Sequence, residues 1–291
     1  MEKKKIKSFL ILIFIFIITL SFLILGEINS IETSKNVDND VVVPIIMYHS
    51  ILKDTSLLND YTVSPSLFEN DLKYLNKHGY KTITVSDLIE YVYHDSPLPE
   101  KCIMLTFDDG YYNNYYYAFP LLKKYECKAV ISPIASMTEI FTETTDISVS
   151  YGHISVDNIK EMAESGYVEI QNHSYDMHKL TPRKGVDKKR GESFESYRST
   201  IQNDIITAQN YLKDNAGISP QCFVYPFGAK SDDTEKIVKE LGFKCTLTCT
   251  EEPNYISKSE ESLINLGRYR RDNSESMEAL LNRINKTINS H

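Results

Sequence analysis

Two adjacent carboxylates, Asp108 and Asp109, directly follow the apolar run 102–107 and precede Gly110. Neighbouring carboxylates can divide labour, because one can bind a metal ion while the other accepts a proton from water. An Asp-Gly pair is also common in β-turns, so these three residues alone favour a turn. The pair indicates a hydrolytic metal site only if other parts of the chain supply further ligands.

Two histidines in one short segment are the candidates for those ligands. His173 and His178 are two of only seven histidines in the chain, and they lie five residues apart. That spacing separates two side chains by about 140° on an α-helix, but in a loop both rings can reach one ion. Two imidazoles and one carboxylate suit a catalytic zinc or a similar divalent ion. The alternative is two unrelated surface histidines.

Four predicted strands end in polar or conformationally special residues. The β-branched, apolar run 41–48 ends at His49, and the other three strands end at Asp108, His173 and Pro226. In a parallel α/β barrel the carboxyl ends of the strands share one face. We therefore expect these four groups to converge.

Helical patterns separate the predicted strands and position their ends. They cover 64–75, 86–92 with Ser86 as the N-cap, 155–164, 193–215 and 234–241. Alternating strands and helices predict parallel βαβ units, arranged as an open doubly wound sheet or as a barrel. No glycine-rich loop follows the first strand, which disfavours a nucleotide-binding sheet.

The first 26 residues differ from the rest of the chain. Four lysines among the first seven residues precede the uncharged stretch 8–26, which is nearly long enough to cross a bilayer. We expect residues 1–26 to be an uncleaved membrane anchor with the following domain outside the cell, and a cleaved signal peptide is the alternative. A polar linker at 27–41, a catalytic domain at 42–275 and a helical tail at 276–291 would follow.

Charge and cysteine content exclude several classes of protein. Residues 1–26 carry a net +3, so the remainder carries −11 when the whole chain carries −8. A domain this acidic is a poor candidate for binding nucleic acid. The five cysteines are odd in number and widely spaced, which predicts buried free thiols instead of a disulfide framework or a zinc ribbon.

Three motifs together resemble the polysaccharide deacetylases, carbohydrate esterase family 4 with the NodB homology domain. They are Thr106-Phe-Asp-Asp-Gly110, His173-Ser174 with His178, and Tyr225-Pro-Phe-Gly228, within a resemblance that covers roughly 42–270. The resemblance implies a single α/β domain, a distorted (β/α) barrel of about seven strands, that removes acetyl groups from N-acetylated sugars with a divalent metal.

The family's motifs also imply roles for individual residues. The metal ligands would be Asp109, His173 and His178, the general base would be Asp108, and a backbone N–H just after Asp109 would stabilise the oxyanion. The ion would be zinc, with cobalt, nickel or iron as alternatives. The third motif would contact substrate through Tyr225, Pro226 and Phe227, and we expect Tyr111 to face the cleft because it follows the acids.

Two departures from the commoner family pattern shift the expected acid and the residue that orients the base. No histidine lies between His178 and His291, where the family's usual acid would be, whereas His49 ends the first strand. This order and the five-residue histidine spacing resemble the permuted poly-N-acetylglucosamine deacetylase branch, so we predict His49 as the general acid; a structural histidine is the alternative. Arg268 is predicted to orient Asp108, with Arg270 and Arg271 as rivals.

The resemblance therefore predicts metal-dependent N-deacetylation of an N-acetylglucosamine polysaccharide outside the cell. Peptidoglycan and poly-N-acetylglucosamine are both candidate substrates. Two alternatives stay open on the sequence: an esterase acting on O-acetylated glycans, and a catalytically inactive glycan-binding module at the cell surface. The membrane would be a partner through residues 1–26.

Overall fold

A computed structural model describes residues 40–289, which form alternating strands and helices. The strands are β1 (Val41–Val42), β2 (Ile45–Tyr48), β3 (Ser50–Ile51), β4 (Thr62–Val63), β5 (Lys81–Ile83), β6 (Cys102–Asp109), β7 (Ala129–Pro133), β8 (Val168–Ile170), β9 (Cys222–Val224), β10 (Cys245–Leu247), β11 (Tyr255–Ile256) and β12 (Tyr269–Arg270). The α-helices are α1 (Pro65–Lys77), α2 (Val85–His94), α3 (Phe119–Lys124), α4 (Ala135–Thr142), α5 (Val156–Glu164), α6 (Phe194–Ala216), α7 (Asp232–Glu240) and α8 (Met277–Ile288). Shorter helical turns cover Asn114–Ala118, Pro226–Gly228 and Glu260–Leu263.

Seven parallel strands are linked in a cycle. Strands β12, β2, β6, β7 and β8 are neighbours in this order, and β9 pairs with β10. Single bridges join Asn172 to Phe223 and Leu247 to Leu266, which lies just before β12. The predicted α/β domain with a parallel sheet is confirmed, and the cyclic order is consistent with the predicted (β/α) barrel of about seven strands.

Strand β6 lies at the centre of the sheet and is buried along its whole length. Successive side chains of a strand point to opposite faces. Met104 belongs to the apolar cluster that contains Val130 of β7 and Leu247 of β10, whereas Ile103 and Leu105 belong to the cluster that includes α1 and α8. Burial on both faces explains why this strand is a continuous apolar run in the sequence.

A buried ion pair stabilises the packing of α1 and β12. Arg271 donates to both oxygens of Asp71 at 2.9 and 2.8 Å, and the Tyr48 hydroxyl donates to the same carboxylate at 2.9 Å. All three side chains are almost fully buried. The pair compensates two charges that would otherwise cost several kcal/mol each in the interior.

The N-terminus of α2 differs from the sequence prediction. We expected Ser86 as the N-cap, but the helix begins at Val85 and its cap is Thr84. The Thr84 hydroxyl accepts from the Asp87 amide at 3.4 Å, and the Asp87 carboxylate accepts from the Thr84 amide at 2.8 Å. A second Ser/Thr two residues upstream made the cap ambiguous in the sequence.

One helix is present where a helical tail was predicted, and another helix was missed. The helix predicted in the tail, α8, buries Met277, Leu280 and Ile284 in the same core cluster as α1. Helix α4 was not predicted, because its eight residues carry no N-cap side chain and no clear apolar period. All five cysteines are free, as expected, and four of them are buried.

The predicted anchor at 1–26 and most of the predicted linker lie outside the described residues. Within residues 40–289, no helix is both long enough and apolar enough to span a membrane. The first described strand, β1, pairs antiparallel with β11.

The capping assignment predicts a difference between two neighbouring substitutions. Thr84→Ala removes the hydroxyl that accepts the Asp87 amide, so we expect it to lower the free energy of unfolding by about 1 kcal/mol. Ser86→Ala should change that free energy by less than ~0.5 kcal/mol, because the Ser86 hydroxyl is not the cap. Urea denaturation measures both, and a larger loss for Ser86→Ala would contradict the assignment.

Candidate metal and catalytic site

The backbone at the end of β6 separates the roles of its two acids. Side chains of Asp108 and Asp109 would point to opposite faces of a regular strand. Asp109 instead has a φ of +68° and Gly110 a φ of +70°, so the chain turns immediately. A Cβ at position 110 would lie 2.7 Å from the Cβ of Pro133, so only glycine fits there. The turn that the Asp-Gly pair suggested is therefore present, and it positions Asp109.

Asp109 converges with the two predicted histidine ligands. Its Oδ1 lies 3.5 Å from Nε2 of His173 and 3.2 Å from Nε2 of His178. One ligand atom from each of the three residues lies within 4.8 Å of the others. The buried Oδ1 of Asp109 accepts no hydrogen bond from the residues that the structure describes. A buried carboxylate oxygen without a donor, facing two imidazole nitrogens, fits a divalent cation.

The other nitrogen of His173 fixes the orientation of its ring. Nδ1 of His173 donates to the carbonyl of Val224 at 2.8 Å. The proton on Nδ1 leaves the Nε2 lone pair free to face Asp109, which is the arrangement that metal-binding histidines need. The His178 ring is held differently, by packing on Phe227 with ring centroids 4.1 Å apart.

Asp108, the residue just before this turn, forms a bidentate ion pair with Arg268. Nη1 of Arg268 lies 2.6 Å from Oδ1 and Nη2 lies 2.8 Å from Oδ2, and both side chains are almost fully buried. Burial raises the pKa of Asp108, but the charge and hydrogen bonds of Arg268, together with His173 and His49, outweigh burial and hold the pKa below its usual value. Of the three candidate arginines, Arg268 is thus the one in contact with Asp108.

The two rival arginines have other partners. Arg271 pairs with Asp71, on the outer side of the sheet. Arg270 lies at the rim of the pocket, where its guanidinium is 5.4 Å from the ring centroid of Tyr61. Neither is bonded to Asp108.

His49 lines the same pocket as the metal ligands. Its Nε2 is 3.9 Å from Oδ2 of Asp108, and its ring contacts Tyr61 edge to face with centroids 4.9 Å apart. Burial lowers the pKa of His49, and the carboxylates of Asp108 and Asp109 oppose that shift only in part. The structure therefore brings the first strand end and the β6 end together, as the convergence of parallel strands predicts.

A cavity of about 730 Å³ opens above these groups. Its lining includes the predicted site residues His49, Asp108, Asp109, Tyr111, His173, His178 and Phe227. Burial and the negative charge of Asp109 raise the pKa of the Tyr111 hydroxyl, which therefore stays protonated. The rim is polar and aromatic, with Tyr61, Lys184, Glu251 and Arg270.

Two predicted substrate-binding side chains are not in the cavity. Tyr225 is fully buried and belongs to a separate apolar cluster with residues of α6 and α7, and Pro226 is buried as well. Phe227 reaches the cavity because its φ of +59° turns the chain. Within this third motif the structure thus corrects the prediction to Phe227 alone.

The backbone amide expected to stabilise an oxyanion is already used. The Gly110 N–H donates to the carbonyl of Asp108 at 2.8 Å. This hydrogen bond closes the turn at Asp109, so the amide directly after that residue faces the chain itself. The prediction for this amide is wrong in the structure as described.

His153 supports the site from outside the predicted set of residues. It is buried, and its Nδ1 lies 3.0 Å from the carbonyl of Asp109. The Ile134 amide donates to the same carbonyl at 3.3 Å. Two donors from distant segments thus hold the left-handed turn. The sequence carried no signal for this, since His153 has no motif around it.

The Arg268–Asp108 pair predicts a stability effect that depends on both partners. Arg268→Gln leaves a buried, unpaired carboxylate, so we expect a loss of about 3–5 kcal/mol in the free energy of unfolding. Adding Asp108→Asn should recover part of that loss, because the orphan charge is removed. Urea denaturation of both variants tests this, and Arg271→Gln is the matched control, in which Asp108→Asn should give no recovery.

A family model described as polysaccharide deacetylase matches residues 95–246. The poly-β-1,6-N-acetyl-D-glucosamine N-deacetylase of Escherichia coli (strain K12) is 27% identical over 225 residues, which are 70% of this chain and 33% of that protein. The chain thus spans about a third of the length of that relative.

Two further proteins cover larger shares. Bacillus subtilis (strain 168) YxkH is 30% identical over 218 residues, or 75% of this chain and 67% of that protein. A solved de-N-acetylase of Aggregatibacter actinomycetemcomitans has the same fold, with a TM-score of 0.71 and 24% identity over 83% of this chain and 99% of that one. The chain belongs to the polysaccharide deacetylase family, carbohydrate esterase family 4 with a NodB homology domain.

Proposed function

We propose that this protein is a metal-dependent N-deacetylase of a polysaccharide that contains N-acetylglucosamine, with a poly-β-1,6-linked polymer as the preferred candidate. The convergence of Asp109, His173 and His178 beside the Arg268-bound Asp108 is the observation that carries the proposal. Relatives named for N-deacetylation of poly-β-1,6-N-acetyl-D-glucosamine support the choice of substrate.

A divalent ion, zinc for this ligand set, would be held by Asp109, His173 and His178 and would act as a Lewis acid toward the acetyl carbonyl. Asp108 lines the same cavity and is held ionised chiefly by its ion pair with Arg268. An ionised carboxylate in the cavity can accept a proton from the attacking water. The two acids of the motif thus have separate roles.

His49 is placed to deliver a proton to the leaving nitrogen. It lines the cavity, and in its protonated form it would donate to the amine of the sugar as acetate departs. Nε2 of His49 lies 3.9 Å from Oδ2 of Asp108, so the proton accepted by Asp108 would recharge His49 through a water or after a small movement of the ring. One proton of the attacking water would thus replace the one that His49 gives to the amine, the other would stay on the acetic acid, and both side chains would end the cycle as they began.

The cavity rim suits a neutral sugar polymer. Tyr61 is half exposed beside His49, and Phe227 forms part of the wall beside His178. Aromatic faces of this kind can pack against the apolar faces of pyranose rings. The extracellular location predicted from residues 1–26 belongs to this proposal as well, since those residues lie outside the described range.

The first test separates the base from the metal ligands. Asp108→Asn should bind zinc like the unchanged protein and lose at least ~100-fold in acetate release, because the general base is missing. His173→Ala should lose both zinc and acetate release. The assays are zinc content after dialysis and acetate release from poly-β-1,6-N-acetylglucosamine and from peptidoglycan, each with and without a chelator.

Full activity of Asp108→Asn, or acetate release that no chelator reduces, would sink the assignment. Acetate released faster from an O-acetylated glycan than from either N-acetylated polymer would instead support an esterase.

The second test concerns the acid. His49→Gln keeps the size of the side chain but cannot donate a proton as an imidazolium does. We expect unchanged zinc binding and a decrease of about 100-fold in kcat. Arg270→Gln, at the same rim, is the matched control and should reduce kcat far less. If the two variants lose kcat equally, His49 is a wall residue and not the acid.

A further inference from the structure

The segment 172–178, called here the ligand loop, carries both histidine ligands and has no regular secondary structure. Its backbone turns at Ser174, which has a φ of +71°. Left-handed backbone at a residue other than glycine costs of order 1 kcal/mol and persists only where surrounding contacts enforce it.

Asp204 of α6 is the central contact. One of its oxygens, Oδ1, accepts from the Tyr175 amide at 2.8 Å, and the other, Oδ2, accepts from the Asp176 amide at 2.9 Å. These two amides lie between the two histidines in the sequence. One carboxylate therefore holds the part of the ligand loop that determines how far apart the two rings are.

Asp204 is an unexpected residue on its helix face. It is 7% exposed and lies on the buried side of α6, together with Ile201, Ile205 and Ala208. Buried carboxylates are rare unless they are paired. None of the ion pairs found among the described residues includes Asp204, so its hydrogen-bond partners are the two loop amides.

Helix α4 holds the other side of the ligand loop. The Ala135 amide donates to the carbonyl of Ser174 at 3.1 Å, and the Ser136 amide donates to that of Tyr175 at 3.0 Å. The loop is therefore held through its carbonyls by α4 and through the Tyr175 and Asp176 amides by Asp204. Its own side chains hold two further amides, since Oδ1 of Asn172 accepts from Ser174 and Oγ of Ser174 accepts from Met177. Removal of Asp204 would free the Tyr175 and Asp176 amides while the α4 contacts remain.

We propose that Asp204 is a positioning residue for the metal site, because it holds the ligand loop in the conformation in which His173 and His178 both face Asp109. The proposal rests on the metal site of the proposed function. Asp204 does not touch the ligand atoms and acts only through the backbone of the loop. Partners of this kind outside the ligand set contribute about 10–100-fold to metal affinity in other sites.

The five-residue spacing of the histidines agrees with this role. A helix would carry neighbouring rings three or four residues apart, whereas the spacing here depends on an irregular turn. In a helix the amides of Tyr175 and Asp176 would donate to carbonyls four residues earlier. The loop is not helical, so these amides need acceptors from another part of the chain. Asp204 supplies both acceptors from one side chain.

The test is zinc affinity of the metal-free protein, measured by competition with a chromogenic chelator. Asp204→Ala should weaken zinc binding by about 10–100-fold. Asn203→Ala changes the neighbouring exposed residue of α6 and should leave zinc affinity unchanged. Thr84→Ala is the stability control: it lowers the thermal midpoint far from the site, and it should also leave zinc affinity unchanged.

Each outcome decides between specific alternatives. If Asp204→Ala binds zinc as tightly as the unchanged protein, the positioning role is wrong. If Asp204→Ala fails to fold, Asp204→Asn decides, since it keeps one acceptor and should weaken zinc binding several-fold; unchanged affinity in that variant overturns the proposal. If the unchanged protein binds no zinc at all, the proposed metal function fails instead, which is a distinguishable result.

Discussion

The buried ion pair between Arg268 and Asp108 is the constraint on which the rest of the site depends. Arg268 lies between the bridge at Leu266 and strand β12, where the cycle of parallel strands closes, and Asp108 ends the central strand β6. The pair therefore links the closure of the sheet to the ionisation of the candidate base. Two charges so deeply buried are tolerated only because each neutralises the other with bidentate geometry.

The positions of the metal ligands also depend on the amino end of α4. This helix has no N-cap side chain, and its first amides donate to the carbonyls of Asp109, Ser174 and Tyr175. The unsatisfied donors of a helix N-terminus thus serve two ligand-bearing turns at once. Both turns contain a non-glycine residue with positive φ, so local strain at Asp109 and Ser174 is balanced by hydrogen bonds from one helix.

Much of this could be predicted from the sequence, and the failures have physical reasons. The apolar patterns and the residues at the strand ends predicted that His49, Asp108 and His173 share one face, because the carboxyl ends of parallel strands lie on the same side of a barrel. The choice among Arg268, Arg270 and Arg271, by contrast, depends on which side chain reaches Asp108 where the cycle of strands closes, and the sequence does not show this. Tyr225 was misplaced because its side chain packs into the apolar cluster with α6 and α7, and the chain turns toward the cavity only at Phe227. Helix α4 was missed because its first amides donate to carbonyls of distant segments and no side chain caps it.

Strand β1, the first described strand, pairs with β11 beside the amino ends of the barrel strands, in the apolar cluster that contains Ile45 and Cys102. The cavity lies at the opposite, carboxyl ends. The chain therefore enters the domain at the amino ends of the barrel strands, away from the cavity. The mouth of the cavity is thus clear of the point at which the chain enters the domain.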